Sequence, residues 1–254
     1  MAYYRITFSP TGGTARTAEI LASAIAENWI STDLLRPLPK TNLTAGDVCL
    51  IAVPSFGGRI PTTSAERLRQ IKANGARAIL VCVYGNRAYE DTLSELQDVL
   101  ESCGFRCIAA VTAVAEHSIV REFGAGRPDA DDCAELTAFA EKIRERLAEP
   151  AEEPLTVPGE HGAYKAYQNT PFVPAETDAC TNCGICAASC PTGAIGDAPD
   201  GIYPGMDPGK CIKCMRCEAV CPTGARKLDG KMYAALRERL AAVCGTRKAN
   251  ELFL

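Results

Sequence analysis

The chain has 254 residues, 47% hydrophobic and 23% charged, which is enough for one large or two ordinary domains with cores of their own and too apolar for general disorder. Twenty-seven basic against 31 acidic side chains leave a formal charge of -4, which supplies no field for holding nucleic-acid phosphates or an anionic membrane. The longest nearly unbroken apolar runs, around Ala78 to Tyr84 and Cys107 to Ala115, fall well short of the ~18 to 20 residues of a membrane span, and Met-Ala-Tyr-Tyr-Arg-Ile lacks the apolar stretch of a signal peptide. A soluble cytoplasmic protein is expected.

Up to about residue 149 the sequence alternates short apolar runs with helical patterns, the order that builds βαβ units. Strands are predicted at Tyr3 to Phe8, Ile30 to Leu35, Val48 to Val53, Ala78 to Tyr84 and Cys107 to Val114. Helices are predicted at Thr14 to Glu27, Ser64 to Ala73, Tyr89 to Ser102 and Asp131 to Ala148. A doubly wound, five-stranded parallel sheet follows from that alternation. Residues 150–175 carry Pro150, Pro154, Pro158, Pro171 and Pro174 without periodicity and read as a linker. Tyr164, Tyr167 and Phe172 within it argue for a docked linker rather than a free tether. A small α+β domain is expected over 176–230, then a C-terminal segment, 231–254, with a short amphipathic helix at Met232 to Val243 and no clear signal in its last ten residues.

Fourteen cysteines without an export signal point to metal chemistry rather than to disulfides. Eight of them fall in an internal repeat: CTNCGICAASCPTGA at Cys180 aligns, 31 residues on, with CIKCMRCEAVCPTGA at Cys211. Each half reads C-x2-C-x2-C-x3-C-P. Zinc sites are usually assembled from two separated cysteine pairs, whereas three cysteines two residues apart wrap one corner of an iron–sulfur cubane and the fourth caps the other cluster. On this spacing Cys180, Cys183, Cys186 and Cys221 hold one [4Fe-4S] cluster, and Cys211, Cys214, Cys217 and Cys190 hold the second. The segment 176–228 looks like a bacterial-type two-cluster ferredoxin, whose Pro-Thr-Gly-Ala turns aim backbone N–H groups at the cluster sulfurs. Lys210, Lys213, Arg216, Arg226 and Lys227 form a basic ring about the second cluster, either solvated or a docking patch for acidic redox partners. The remaining six cysteines, three of them in predicted strands at Cys49, Cys82 and Cys107, read as small buried hydrophobes.

Between the first strand and first helix stands Ser9-Pro10-Thr11-Gly12-Gly13-Thr14, where an α/β sheet seats a phosphate. Hydroxyls of Ser9, Thr11 and Thr14 can donate, and Gly12 and Gly13 let N–H groups converge. No lysine follows as in a nucleotide P-loop, and no G-x-G-x-x-G is present. The remaining pattern resembles the phosphate loop of flavodoxins, which implies FMN. Flavodoxins close over the flavin with loops after the third and fourth strands. Here these are Pro54, Ser55, Phe56, Gly57 and Gly58, and Tyr84, Gly85, Asn86, Arg87 and Tyr89, with Phe56 on one ring face and Tyr84 or Tyr89 on the other. Trp29 lies away from these loops and reads as structural. His117 reads as a hydrogen-bonded rather than a catalytic histidine.

SPTGGT, VPSFGGRIP, VYGNRAYEDT and the twin-cluster repeat together resemble the flavodoxin–ferredoxin fusion proteins of anaerobic bacteria and archaea. The resemblance implies an intracellular electron carrier in which FMN and two [4Fe-4S] clusters form one relay between one- and two-electron carriers. Two alternatives stand beside it. One is a flavin-dependent reductase of a small substrate fed by the clusters, with His117, Arg59 and Arg87 near the crevice. The other is a ferredoxin with a flavin-free recruitment domain. No catalytic residue is assigned.

Overall fold

The computed structural model describes residues 1–39, 41–149, 153–167, 170–197 and 204–254. Parts of the expected linker (150–152 and 168–169) and of the expected small domain (198–203) lie outside the described residues. The first region runs β1 (Tyr3–Thr7), α1 (Gly13–Ile25), β2 (Ile30–Asp33), β3 (Val48–Pro54), α2 (Thr62–Leu68), β4 (Arg77–Tyr84), α3 (Thr92–Ser102), β5 (Arg106–Val114) and α4 (Ala130–Ala148).

Strands β3, β4 and β5 are built from unbroken apolar runs because both of their faces are covered. Cys49, Ile51 and Val53 of β3 pack toward α2 and α3 with Leu68, Leu93, Leu96 and Leu100. Val48, Leu50 and Ala52 face the other way, toward Leu21, Ala22 and Ile25 of α1 and Leu136, Ala140 and Ile143 of α4. Parallel pairing in the order β2-β1-β3-β4-β5 is the flavodoxin-like doubly wound arrangement. It brings the loops after β1, β3 and β4 to one sheet edge. Trp29 is structural: its indole N–H donates to the carbonyls of Ala22 (2.9 Å) and Ala26 (3.0 Å), and its ring meets Tyr3 edge-on.

Two helices are shorter than the periodicity predicts. The chain leaves α2 at Leu68 because Ile71 and Ala73 turn into the core and Lys72 bridges to Asn42. Helix α3 begins at Thr92, since Glu90 takes a left-handed φ of 43° and the N–H of Asp91 donates to the carbonyl of Gly58 at 3.0 Å. Helix α4 starts at a capping box between Asp129 and Asp132.

The second region contains β6 (Ala175–Glu176), α5 (Ile185–Ser189), β7 (Ile195–Asp197), β8 (Pro204–Met206), α6 (Arg216–Ala219), β9 (Arg226–Lys227), α7 (Gly230–Cys244) and β10 (Glu251–Phe253). β6 pairs with β9 and β7 with β8, both antiparallel. The strand before each half of the repeat thus pairs with the strand after the other half. β10 corrects the expectation of five strands: it joins the large sheet as a sixth strand, antiparallel to β5, with Leu252 opposite Val111. Among the described residues no helix is long and apolar enough to cross a membrane.

Candidate cofactor sites

The two cysteine loops share one backbone course. Asn182 and Lys213, 31 residues apart, both take left-handed φ (52° and 56°), as do Gly184 and Met215 (72° and 59°), which open α5 and α6. A cavity is lined by Cys190, Cys211, Cys214 and Cys217, the four residues that the crossed spacing assigns to the second cluster, together with Ile195 and Met206. Cys186 and Cys217 pack together beside it. Among the described residues no three His, Cys, Asp or Glu side chains gather as around a single metal ion. Cys190, Cys211, Cys214 and Cys217 share the wall of the cavity, the placement that ligands of a polynuclear cluster would need.

The Pro-Thr-Gly-Ala turns act alike in both halves. Thr192 Oγ1 lies 3.6 Å from Cys190 Sγ and Thr223 Oγ1 lies 3.6 Å from Cys221 Sγ. The N–H of Ala225 donates to Cys221 Sγ at 3.1 Å. Burial pushes the Cys221 thiol up, but the Thr223 hydroxyl and the N–H groups of Arg226, Ala225 and Thr223 outweigh it and bring the thiol down to about 7. At Cys190 burial is likewise outweighed, by the Thr192 hydroxyl and the N–H groups of Thr192, Ala194 and Ile195, and the shift is again downward. Burial lifts Cys214 and Cys217 to about 12, with Arg226 working against the rise at Cys217.

The basic ring expected around the second cluster is dispersed. Lys210 and Lys227 are exposed, but Arg226 is only 2% exposed and pairs with Glu176 at 2.7 Å. Arg216 turns inward and donates from Nη1 to the carbonyl of Pro10 at 3.1 Å. Strand pairing of β6 with β9 buries the first, and contact with the large sheet's loops claims the second.

At the loop after β1, helix α1 begins at Gly13 with Gly12 at its cap position and no acidic residue in its first turn. Gly12 has φ +98°, and a Cβ added there would meet nothing within 4 Å. Ser9 Oγ accepts from the N–H of Ala15 at 2.9 Å, which leaves its own proton to donate. Thr14 is buried and Thr11 half-buried. With one N–H of the first turn capped by Ser9, the remaining N–H groups and the open space beside Gly12 fit an anion such as a flavin phosphate.

The loops after β3 and β4 meet each other. Ser55 Oγ accepts from Thr92 Oγ1 at 2.7 Å, and Gly58 approaches Glu90 so closely that an added Cβ would lie 1.9 Å from its carboxylate. Pro54 and Phe56 are half-buried, Phe56 against the core, and Gly57 is exposed. Tyr84 and Tyr89 pack edge to face and line an open groove with Gly159, Glu160, Lys248 and Glu251. Tyr89 donates to Glu251 at 2.7 Å. Asn86 is buried and donates to the carbonyls of Cys244 and Thr246, while Gly85 packs on His117. The structure thus turns Tyr84, Asn86 and Tyr89 toward the C-terminal tail, a neighbour that sequence spacing could not announce.

The residues offered for a substrate site are engaged elsewhere. Arg59 forms a bidentate pair with Glu95 (2.7 Å twice), lies over the rings of Tyr164 and Tyr167, and donates to the carbonyl of Lys165. Arg87 pairs with Glu90 at 2.7 Å. His117 accepts on Nδ1 from the N–H groups of Ile119 and Val120, and burial holds it down at about 4.

Residues 153–167 are docked. Leu155 and Val157 enter the core, Asp91 accepts from the N–H groups of Glu160 and Lys165, and Tyr167 donates to the carbonyl of Ile60. A second seam joins the cysteine loops to the sheet: Arg67 bonds the carbonyls of Leu34 and of Pro191 (the latter at 2.6 Å), and Ile212 packs on the sheet's core. Arg67 and Ile212 carried no sequence signal for this role.

Residues 179–226 match the 4Fe-4S dicluster domain family. No protein of curated function matches the chain. Among solved structures, the chain is similar to a flavodoxin from Streptococcus pneumonia TIGR4 at 20% identity, over 57% of this chain and 99% of that one, with a TM-score of 0.40. It is similar to oxidised Flavodoxin 1 from Bacillus cereus at 16% identity (57% and 98% covered, TM-score 0.43). An archaeal flavodoxin matches at 12% identity (59% and 100% covered, TM-score 0.42). The strand order itself carries the fold. The chain thus joins a flavodoxin-like α/β sheet to a segment, residues 179–226, that matches a 4Fe-4S dicluster domain.

Proposed function

We propose that the chain relays electrons between FMN and two [4Fe-4S] clusters, and so joins one-electron to two-electron carriers. When bound, the flavin would take up to two electrons and each cluster one. Cys180, Cys183, Cys186 and Cys221 would hold one cluster, and Cys211, Cys214, Cys217 and Cys190 the other. Ser9, Thr11, Gly12, Gly13 and Thr14 would seat the flavin phosphate, with the loops at Pro54–Gly58 and Tyr84–Tyr89 nearest its ring.

The observation that carries this reading is the seam between the two regions. Arg216, between Cys214 and Cys217, bonds the carbonyl of Pro10 inside the phosphate loop, and Arg67 holds Pro191, the residue after Cys190. Both contacts come from the second cysteine set, so that set stands against the flavin side. Cys183 and Ile185 of the first set are exposed, which leaves the first cluster to face an external partner. The small-substrate alternative loses its support, because Arg59, Arg87 and His117 already serve internal contacts.

An anoxic reductive titration of the cofactor-replete protein tests the relay. About four electrons per chain are expected, two into flavin bands and one per cluster. Uptake of about two electrons without flavin bands, in protein that also fails to bind added FMN, would overturn it in favour of a ferredoxin with a recruitment domain.

A further inference from the structure

The two halves of the repeat share their cysteines and turns, and they part at the residues between the cysteines. Thr181 and Ile185 of the first half are exposed. Their counterparts 31 residues on, Ile212 and Arg216, are half-buried, Ile212 on the core of the large sheet and Arg216 against the loop after β1. A cysteine loop of this pattern does not itself require an arginine between its second and third cysteines, since the first half carries Ile185 there in the open. What Arg216 meets is the phosphate loop, where its Nη1 donates to the carbonyl of Pro10 at 3.1 Å.

That loop is built of neutral groups. Ser9, Pro10, Thr11, Gly12, Gly13 and Thr14 carry no charge, and Arg16, the cation of the first helical turn, is exposed. Arg216 brings to it, from 206 positions away, a guanidinium that keeps its proton and whose N–H groups match phosphate oxygens. Its bonding capacity is only partly used: Nε is buried and has no hydrogen-bond partner among the described residues. A buried donor left unmet is costly, and an anion seated beside it removes that cost. Arg216 also lines the cavity of Cys190, Cys211, Cys214 and Cys217, so cluster sulfurs compete with a phosphate for that donor.

We infer that Arg216 completes the flavin-phosphate seat from the cysteine-rich region: it fixes the loop through Pro10 and adds the positive charge that Ser9 to Thr14 lack. Arg216 is in this sense a positioning residue for FMN, an assignment that rests on the flavin part of the proposed function. FMN is then held tightly only while the second cysteine loop is docked on the sheet.

The test is an anoxic titration of the iron-loaded, flavin-depleted full chain with FMN and with riboflavin, which has the same ring and no phosphate; quenching of flavin fluorescence reports binding. In R216Q the Kd for FMN should rise about tenfold or more while that for riboflavin stays within about twofold. R216K, which keeps the charge, should lose less FMN affinity than R216Q and again none for riboflavin. Unchanged riboflavin binding also shows that a variant is folded. Should R216Q fold poorly, the same pair of constants in R216K decides: a loss confined to FMN supports the assignment, and an equal loss or none overturns it. Equal weakening of both flavins in R216Q, an unchanged Kd for FMN, or loss of iron with the ratio of the two constants unchanged would likewise overturn it, the last by giving Arg216 to the cluster. A wild-type chain that binds neither flavin would overturn the flavin part of the proposed function, whereas FMN bound equally by wild type and R216Q overturns the role of Arg216 alone.

Discussion

His117, which reads from the sequence as hydrogen-bonded rather than catalytic, is held by backbone contacts. Its Nδ1 accepts two backbone N–H bonds, at 3.2 Å from Ile119 and 3.0 Å from Val120, and Gly85 packs directly on its ring. Burial, with the nearby Arg87 charge, lowers its pKa from 6.5 to about 4. The unfolded chain therefore binds a proton in a window where the folded one does not, and the stability due to neutral His117 is complete above 6.5 and is lost as pH falls toward 4. The unfolding free energy from denaturant titrations between pH 7 and 5 should fall by about 1 kcal/mol per pH unit over this window. In H117Q, which still offers an acceptor oxygen, that slope should flatten; an unchanged slope would remove His117 from the account. The six cysteines outside the repeat divide similarly by environment. Cys49, Cys82 and Cys244 are buried as expected, whereas Cys103, Cys107 and Cys133 are only half-buried. Burial pushes Cys49 up to about 12, which keeps it an inert thiol.

At the scale of elements, β10 is the feature that local pattern missed. Three residues are too few for a period to be read, and their strand state exists because β5 offers an unpaired edge. Asn250 anchors the strand: its Oδ1 accepts from the N–H of Val114 at 2.9 Å, and its Nδ2 donates to Asp132 at 3.0 Å and Glu135 at 2.6 Å. Asp132 is itself buried in a pair with Arg127 at 2.5 Å. Removing the amide in N250A leaves a buried N–H and part of a buried carboxylate unsatisfied, at a cost of about 1 to 3 kcal/mol. Chemical denaturation should show that loss, and amide exchange should localise it to β5 and β10; uniform exchange across the sheet would refute the anchoring role. The helices tell the opposite story. α1 and α4 follow their apolar stripes and α4 its capping box, whereas α2 and α3 are cut short by contacts from distant residues, Asn42 and Gly58.

For the whole molecule, the arrangement of the two regions depends on a small number of arginines. Arg59 fixes residues 153–167, while Arg67 and Arg216 tie the cysteine loops to the sheet, each through a backbone carbonyl. Carbonyl bonds from charged donors contribute about 1.5 to 3 kcal/mol each. The double variant R67A/R216A should keep its iron content yet open the seam, with faster proteolysis near 170–180 and electron exchange between clusters and flavin slowed about tenfold or more. Rapid-mixing absorbance under anoxic conditions would read the rate, and a wild-type rate in the double variant would show that the seam does not serve transfer.

Much of this protein was legible in its residues alone. Strand runs, helix stripes, the glycine turn after β1 and the twin cysteine repeat are local patterns whose chemistry depends on spacing along the chain, and spacing is what a sequence records. Tertiary structure decided the rest: that Tyr84 and Asn86 face the tail, that Arg226 is buried while Lys227 is exposed, that Arg216 leaves the basic ring for the phosphate loop, and that the last residues become a strand. Each of these is set by a partner 50 to 206 positions away, and what such a residue does follows from burial and pairing that exist only once the chain has closed on itself.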